Sequence, residues 1–339
     1  MKKKVLVTGG CGYIGSHTIV DLINNGFEVI SADNFSNSDV AALKGIQKIT
    51  GQSVKNYNTD LCDLKATQKI FKAHPDIVGI IHFAALKAVG ESVEQPLRYY
   101  KNNLLSLLNI LECAETFKIK NFIFSSSCSV YGNAKALPVT EKTPRQNAES
   151  PYARTKQVGE DIISDFSLVH HWCNCVSLRY FNPAGAHESA LIGESSRNVA
   201  SNLVPVITET AMGKRPEIVV FGNDYPTRDG SCIRDYIHVM DLANAHTKAL
   251  QYVINEKNTS NNELFNLGIG EGVSVLEAVH AFEKTTGKKL NYRIGLRRPG
   301  DVVAIYANND RAKRKLGWTP TRSVEAIMES AWAWEQRRN

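Results

Sequence analysis

A doubly wound α/β fold, with a parallel sheet covered by helices on both faces, is predicted for this 339-residue chain by three observations. Short apolar runs recur with helix-like stretches between them, a glycine cluster follows the first run directly, and the rhythm breaks near Asn182. Strands separated by helices form parallel sheets, and their double burial makes them read as continuous apolar runs.

The elements follow in order. KKVLVTGG opens the chain as a strand, residues 13–25 follow as a helix, and FEVISAD (27–33) is the second strand. IVGIIHFAA (77–85), NFIFSSS (121–127) and CVSLRYF (175–181) are the next clear strands. After Asn182 come Pro183, Pro205, Pro216 and Pro226, the loop FGNDYPTRDGS, the stretch RDYIHVMDLANAHTKAL and the basic loop GLRRPGD. Proline and glycine at that density exclude long strands. The prediction is therefore a first domain over 1–182 and a smaller, loop-rich α/β substrate domain over 183–339, with a segment near 235–252 as a candidate to return to the first. A helix over Arg98–Phe117 carries Leu104, Leu105, Leu107, Leu108, Ile110 and Leu111 around most of its circumference. Such a helix is buried on two sides, which predicts a homodimer through this helix and residues 152–170; burial within one subunit is the alternative.

With 43% hydrophobic and 22% charged residues, the composition is that of a globular protein with a sizeable core. Apolar runs such as VGIIHFAAL (78–86) fall short of a bilayer span, so no membrane association is expected. Lys2 to Lys4 run straight into VLV without an apolar leader, which reads as a cytoplasmic protein. Seven scattered cysteines without C-x-x-C spacing and nine histidines without a ligand motif argue against a disulfide framework and a metal centre. The net charge of +6 is spread along the chain, so a small anionic ligand explains it better than nucleic acid.

VTGGCGYIGSH (7–17) sits after a strand and opens a helix, where backbone N–H groups and the helix dipole receive a pyrophosphate. This is the Rossmann arrangement, although its glycines fit two registers, Gly10-x-Gly12-x-x-Gly15 and Gly9-x-x-Gly12-x-x-Gly15. Asp33 ends the second strand, where a carboxylate accepts hydrogen bonds from ribose hydroxyls and repels a 2′-phosphate, so NAD is favoured over NADP.

Within SPYARTK, Tyr152 and Lys156 stand four apart and share a helix face. A phenol titrates at about 10, too high for a base at neutral pH. A cation some 6 Å away at an effective dielectric of about 20 contributes roughly 2.8 kcal/mol, about two pKa units. Lys156 and the positive charge of oxidised NAD together bring Tyr152 toward neutrality, with desolvation opposing them. In FSSSCSVYG (124–132), Ser127 is placed to orient a substrate hydroxyl and relay its proton.

These stretches, with HFAALKAVGESV, YYKNN, RYFNPAGAH, NLVP and RRPGD, resemble the extended short-chain dehydrogenase/reductases over essentially the whole chain, and among them the UDP-glucose 4-epimerases. The resemblance selects the Gly9, Gly12, Gly15 register and leaves Gly10 to the tight turn. It implies that Asp33, Asn34, Phe35, Ser36, Asn37, Ser38, Asp60 and Leu61 surround the adenosine, with Tyr13 and Ile14 along the pyrophosphate. It implies further NAD contacts from Phe83, Ala84, Ala85, Leu86, Lys87 and Asn102, with Phe181 near the nicotinamide. Asn182, Asn202, Arg234, Arg298 and Asp301 match positions that hold UDP, and Ile305 matches a position bordering the C2 substituent of the sugar. Ala85 departs from a frequent glycine, and Cys11 and Cys128 replace small residues.

The implied reaction is reversible inversion at C4 of a UDP-hexose, UDP-galactose to UDP-glucose, through a 4-keto sugar. Three alternatives remain open at this point. Nucleotide-sugar 4,6-dehydratases share the fold, but those resembling this chain carry an Asp-Glu pair where Cys128 and Ser129 stand. A reductase with net turnover would exchange its cofactor freely. A non-catalytic NAD-binding regulator would have no use for Ser127, Tyr152 and Lys156 together.

Overall fold

Apolar strands alternate with amphipathic helices through the first half of the computed structural model, which describes residues 2–195, 200–298 and 301–338. The strands are β1 (Lys4–Thr8), β2 (Glu28–Ala32), β3 (Lys55–Tyr57), β4 (Ile77–His82), β5 (Asn121–Ser127) and β6 (Asn174–Tyr180). Between them run α1 (Tyr13–Asn24), α2 (Ala41–Thr50), α3 (Leu64–Ala73), α4 (Val89–Glu94), α5 (Pro96–Thr116) and α6 (Pro151–Val169). Local chemistry sets several helix starts: Asp63 caps α3 by accepting from Ala66 N–H, Ser150 caps α6 by accepting from Ala153 N–H, and Pro151 occupies the first turn.

The chain then makes β7 (Asn182–Ala184), α7 (Leu203–Ala211), β8 (Ile218–Phe221), β9 (Ile233–Arg234) and β10 (Tyr236–His238), and returns through α8 (Val239–Ile254) to β11 (Asn262–Leu267). It ends with β12 (Val273–Ser274), α9 (Val275–Thr286), β13 (Tyr292–Gly295), β14 (Ala304–Ile305), α10 (Asp310–Leu316) and α11 (Val324–Arg337). The main sheet has seven parallel strands in the order β11-β6-β5-β4-β1-β2-β3. This is the doubly wound fold class expected from the sequence.

The break near Asn182 does not close off the sheet. β11 pairs in parallel with β6 from Cys175↔Asn262 to Tyr180↔Leu267, and α8 packs on α1. The seventh strand went unread because NELFNL mixes its three apolar residues with two asparagines and a glutamate and lies within the loop-rich half. β3 is three residues long and too short for periodicity to register.

One apolar cluster lies between the sheet and α1 and α8; a second fills the opposite face beneath α3, α5 and α6. A third joins α7, α9 and α11 in the second half. Helix α5 packs against α3 and α6 within the subunit, which accounts for burial of Leu107, Ile110 and Leu111; Leu108 remains exposed. No helix of the described residues is long and apolar enough to cross a membrane.

Candidate active site

At its glycines the turn between β1 and α1 has no room for side chains. Gly9 has φ +65°, and a Cβ there would lie 2.9 Å from the Ala84 nitrogen; one on Gly15 would lie 2.2 Å from the Gly9 carbonyl oxygen. Gly9, Gly12 and Gly15 face a cavity, whereas Gly10 packs behind, where a Cβ would meet Ser31 Oγ at 2.4 Å and Ile19 at 2.9 Å. Gly10 therefore serves close packing of the turn against β2 and α1. Helix α1 starts at this cavity with no side-chain cap bond and no acidic residue in its first turn, leaving its amide groups for an anion.

Asp33 is buried beside the turn. Its Oδ1 accepts from Phe35 N–H at 2.9 Å and Ser38 Oγ at 2.6 Å, and Oδ2 accepts from Cys11 N–H at 3.0 Å. A carboxylate has about four acceptor positions, so the bonds inside the protein hold it in place and leave one on Oδ2 for a ribose hydroxyl. Backbone cradle, open helix terminus and fixed carboxylate fit a dinucleotide.

The cavity, of ≈ 730 Å³, runs from this turn past the ends of β4, β5 and β6 to β8 and β9. Of the residues predicted to bind or act on ligands, Phe35 and Ile305 are off its wall and the others line it. Phe35 holds φ +56° and contributes its backbone N–H to Asp33. Ile305 is 5% exposed in a buried cluster with Tyr131, Val139 and Phe181, against which Cys128 packs. Phe181 and Cys128, not Ile305, face the cavity there.

Ser127 ends β5, and Tyr152 and Lys156 lie on the first turns of α6, so the strand end and the helix start bring all three together. Ser127 Oγ accepts from Ser129 N–H at 3.2 Å and Ser129 Oγ at 3.0 Å, leaving its own proton to donate. Lys156 Nζ donates to the Ser125 carbonyl at 2.6 Å and lies 5.9 Å from the centroid of the Tyr152 ring.

Burial pushes the Tyr152 phenol up to about 12, with the Ser127 hydroxyl offsetting it and Cys128 adding to it. Burial pulls Lys156 down to about 8, and the Glu160 carboxylate works against that. Depression of the phenol toward neutrality is thus not a property of the protein alone; desolvation wins until a further positive charge enters the cavity.

At the far end, Arg234 NH1 donates to the carbonyls of Val302 at 2.6 Å and Ile233 at 2.9 Å. Asp301 Oδ1 accepts from Arg298 NH2 at 2.8 Å and Arg234 NH2 at 3.4 Å, so one carboxylate gathers both guanidinium groups. Glu194 does the same for residues predicted to serve different ligands: its Oε1 accepts from Lys87 Nζ and from Asn202 Nδ2, each at 2.9 Å. Glu194, Arg215, Val219 and Phe221 line the cavity but escaped the sequence reading. For Val219 and Phe221 the only signal was the short apolar run IVVF that leads into the GNDYP loop.

Asp235, also missed, is fully buried. It accepts from the N–H groups of Ile269 at 2.8 Å, Ala307 at 3.0 Å and Gly270 at 3.2 Å, and burial raises its carboxyl to about 6. The described residues contain no group of three His, Cys, Asp or Glu side chains able to hold a metal.

Comparison with known proteins agrees with this geometry. A family profile described as GDP-mannose 4,6 dehydratase matches residues 6–331. UDP-glucose 4-epimerase of Bacillus subtilis is 46% identical over 331 residues, covering 98% of this chain and 96% of that protein. The crystal structure of UDP-glucose 4-epimerase from Bifidobacterium longum in complex with NAD+ and UDP aligns with a TM-score of 0.93 at 43% identity, covering 98% of both chains. The enzyme from Stenotrophomonas maltophila, with bound NAD and formylated UDP-arabinopyranose, gives 0.96 at 41% identity, covering 99% of this chain and 98% of that one. Identity at this level over the whole length, on the same fold, places the chain in the UDP-glucose 4-epimerase family of the extended short-chain dehydrogenase/reductases.

Proposed function

We propose that this isomerase interconverts UDP-galactose and UDP-glucose with NAD as its retained cofactor, and that Tyr152, Ser127 and Lys156 carry the proton chemistry. One observation carries the reading: a single cavity has the glycine turn and Asp33 at one end, Arg234 and Arg298 at the other, and the Ser127–Tyr152–Lys156 group between them. The relatives' names and ligands support the same reaction.

The glycine turn, the start of α1, Asp33 and Lys87 would hold NAD, which when bound supplies hydride transfer at C4 of the hexose. Ser127 Oγ orients the 4-hydroxyl, and Tyr152 Oη takes its proton and later returns it. Lys156, fixed on the Ser125 carbonyl, keeps a positive charge beside the phenol. Arg234 and Arg298 grip the diphosphate through their guanidinium forks. The grip is on the nucleotide, so the 4-keto hexose is free to turn and present its other face before Tyr152 gives the proton back.

Cys128 and Ser129 stand where a dehydratase of this kind carries its acid and base, which separates this chain from the reaction in the profile's description. The domain assignment follows the ligands: residues 1–182 with the return through α8 and β11 serve the dinucleotide, and the remainder of 183–339 serves the UDP-sugar. A homodimer is part of the proposal, supported by exposed Leu97, Leu108, Leu168 and Val169 on α5 and the end of α6. So is a cytoplasmic location, supported by seven unpaired cysteines.

The test is incubation with UDP-galactose and no added cofactor. UDP-glucose as the product supports the assignment; a strict requirement for NADH would make it a reductase, and a 6-deoxy-4-keto product would make it a dehydratase.

A further inference from the structure

Helix α6 carries a buried carboxylate on the face it shares with Tyr152 and Lys156, one turn beyond the cavity. Glu160, one turn beyond Lys156, is buried; its Oε1 accepts from Ser126 Oγ at 2.6 Å and from Arg179 Nε at 2.8 Å, and its Oε2 accepts from Arg179 NH2 at 2.7 Å. Arg179 is buried too, and its NH1 donates to Tyr131 Oη at 2.9 Å; that hydroxyl donates to Asn266 Oδ1 at 2.6 Å. Arg145 approaches Glu160 from the surface at 3.7 Å.

Three members of this group stand close in sequence to cavity residues. Ser126 precedes Ser127, Arg179 precedes Tyr180 and Phe181, and Tyr131 ends the turn that carries Cys128 and Ser129. Successive strand residues point to opposite faces, so the register Ser126↔Arg179 and Ser127↔Tyr180 puts Ser126 and Arg179 on the face covered by α6, where they meet Glu160, with Ser127 one residue on at the strand end.

Stability alone is a weak reason for such a pair. Burying two charges costs about as much as their attraction returns, and apolar residues of similar volume hold a core as well or better. An apolar pair lacks the bidentate fork, which fixes both distance and plane. It also lacks a carboxylate one turn from Lys156.

We propose that Glu160, through its fork with Arg179, is the positioning residue of this reaction: it sets the register of α6 against β5 and β6 and thereby the Ser127–Tyr152–Lys156 geometry. The proposal rests on the reading that those three residues do the chemistry. Lys156 is faced by Tyr152 and Glu160 of its own helix, by the Ser125 carbonyl and the Phe124 ring of β5, and by His82 of β4, which burial holds neutral at about 3. Arg179 of β6 is occupied by Glu160. Glu160 is the anion of this set, so removing its charge lowers the Lys156 pKa and moves the alkaline limb of activity to lower pH.

The test compares wild type, E160Q and the apolar double variant E160M/R179M. Wild type is assayed first: without epimerisation the functional reading itself falls, whereas an active wild type isolates the present question. E160Q is expected to lose about 10- to 100-fold in kcat, the scale of a misplaced catalytic group, with KM for UDP-galactose and affinity for UDP unchanged and the alkaline limb displaced downward. The double variant is expected to melt near the wild-type temperature while kcat stays low. Wild-type kcat and pH profile in E160Q would overturn the proposal, as would a double variant that recovers kcat with its stability, or one that fails to fold.

Discussion

Lys156 Nζ donates to the carbonyl oxygen of Ser125 at 2.6 Å, which anchors the ammonium on β5 and leaves the Tyr152 oxygen for the substrate. Tyr152→Phe is therefore expected to retain the fold and bound NAD and to lose about 10²- to 10⁴-fold in turnover, the usual worth of a proton-transferring group. Near-wild-type turnover in that variant would remove Tyr152 from the mechanism. Lys156→Met acts by another route, by raising the phenol's pKa further. A difference titration of Tyr152 in the NAD-bound protein reads that directly, and an unchanged titration would deny Lys156 its electrostatic role.

Acid stability follows from buried imidazoles. Burial lowers His17 and His82 to about 3 and His238 and His246 to about 4. The unfolded chain binds protons at these sites from about 6.5 downward while the folded chain does not, so stability is lost as pH falls through that window. Asp235, raised to about 6, works the other way between its ordinary value and that point, but it is one group against four. Thermal melts from about pH 7 to about pH 5 should show a falling midpoint; a level or rising midpoint contradicts the assignment of these histidines as neutral.

Adjacent leucines on α5 should behave differently. Leu107 is 1% exposed and Leu108 is 47% exposed. Leu107→Glu buries an unpaired charge and is expected to unfold the protein, whereas Leu108→Glu should leave a folded monomer. Light scattering decides: a monomeric wild type at micromolar concentration ends the dimer proposal, and a dimeric Leu108→Glu moves the interface elsewhere.

Substrate range is expected to respond to Ile305, although it stands off the cavity wall. Crowding an acetamido group against packed side chains costs about 1–3 kcal/mol, roughly a 5- to 150-fold preference. UDP-glucose and UDP-galactose should be the main pair, and UDP-N-acetylhexosamines poor substrates. Ile305→Ser removes support from the cluster that includes Phe181 and Cys128 and should raise kcat/KM for UDP-N-acetylgalactosamine while lowering Tm. Equal values for both substrates in the wild type, or no gain in the variant, would show that Ile305 is not the gate.

Features encoded within a few residues were legible in the sequence. The glycine turn, Asp33 at a strand end, and Tyr152 four residues before Lys156 each announce themselves by local spacing. Glu194, Asp235 and the Glu160–Arg179 pair do not, because their partners stand far along the chain. A buried carboxylate has no periodicity of its own; only the fold shows what it holds. Leu107 and Leu108 make the same point, since composition identified an apolar helix but not which leucine turns inward.

The return of the chain to the sheet governs how the protein is made. β6 has β5 on one side, and its other side is closed by β11. Residues 183–261 must all leave the ribosome before that partner exists. Throughout this interval the nascent protein carries an open strand edge, the template on which polypeptides stick to one another. A translation stall there yields a product endangered by an unzipped flank, one for chaperones and proteases to deal with before any catalytic defect matters.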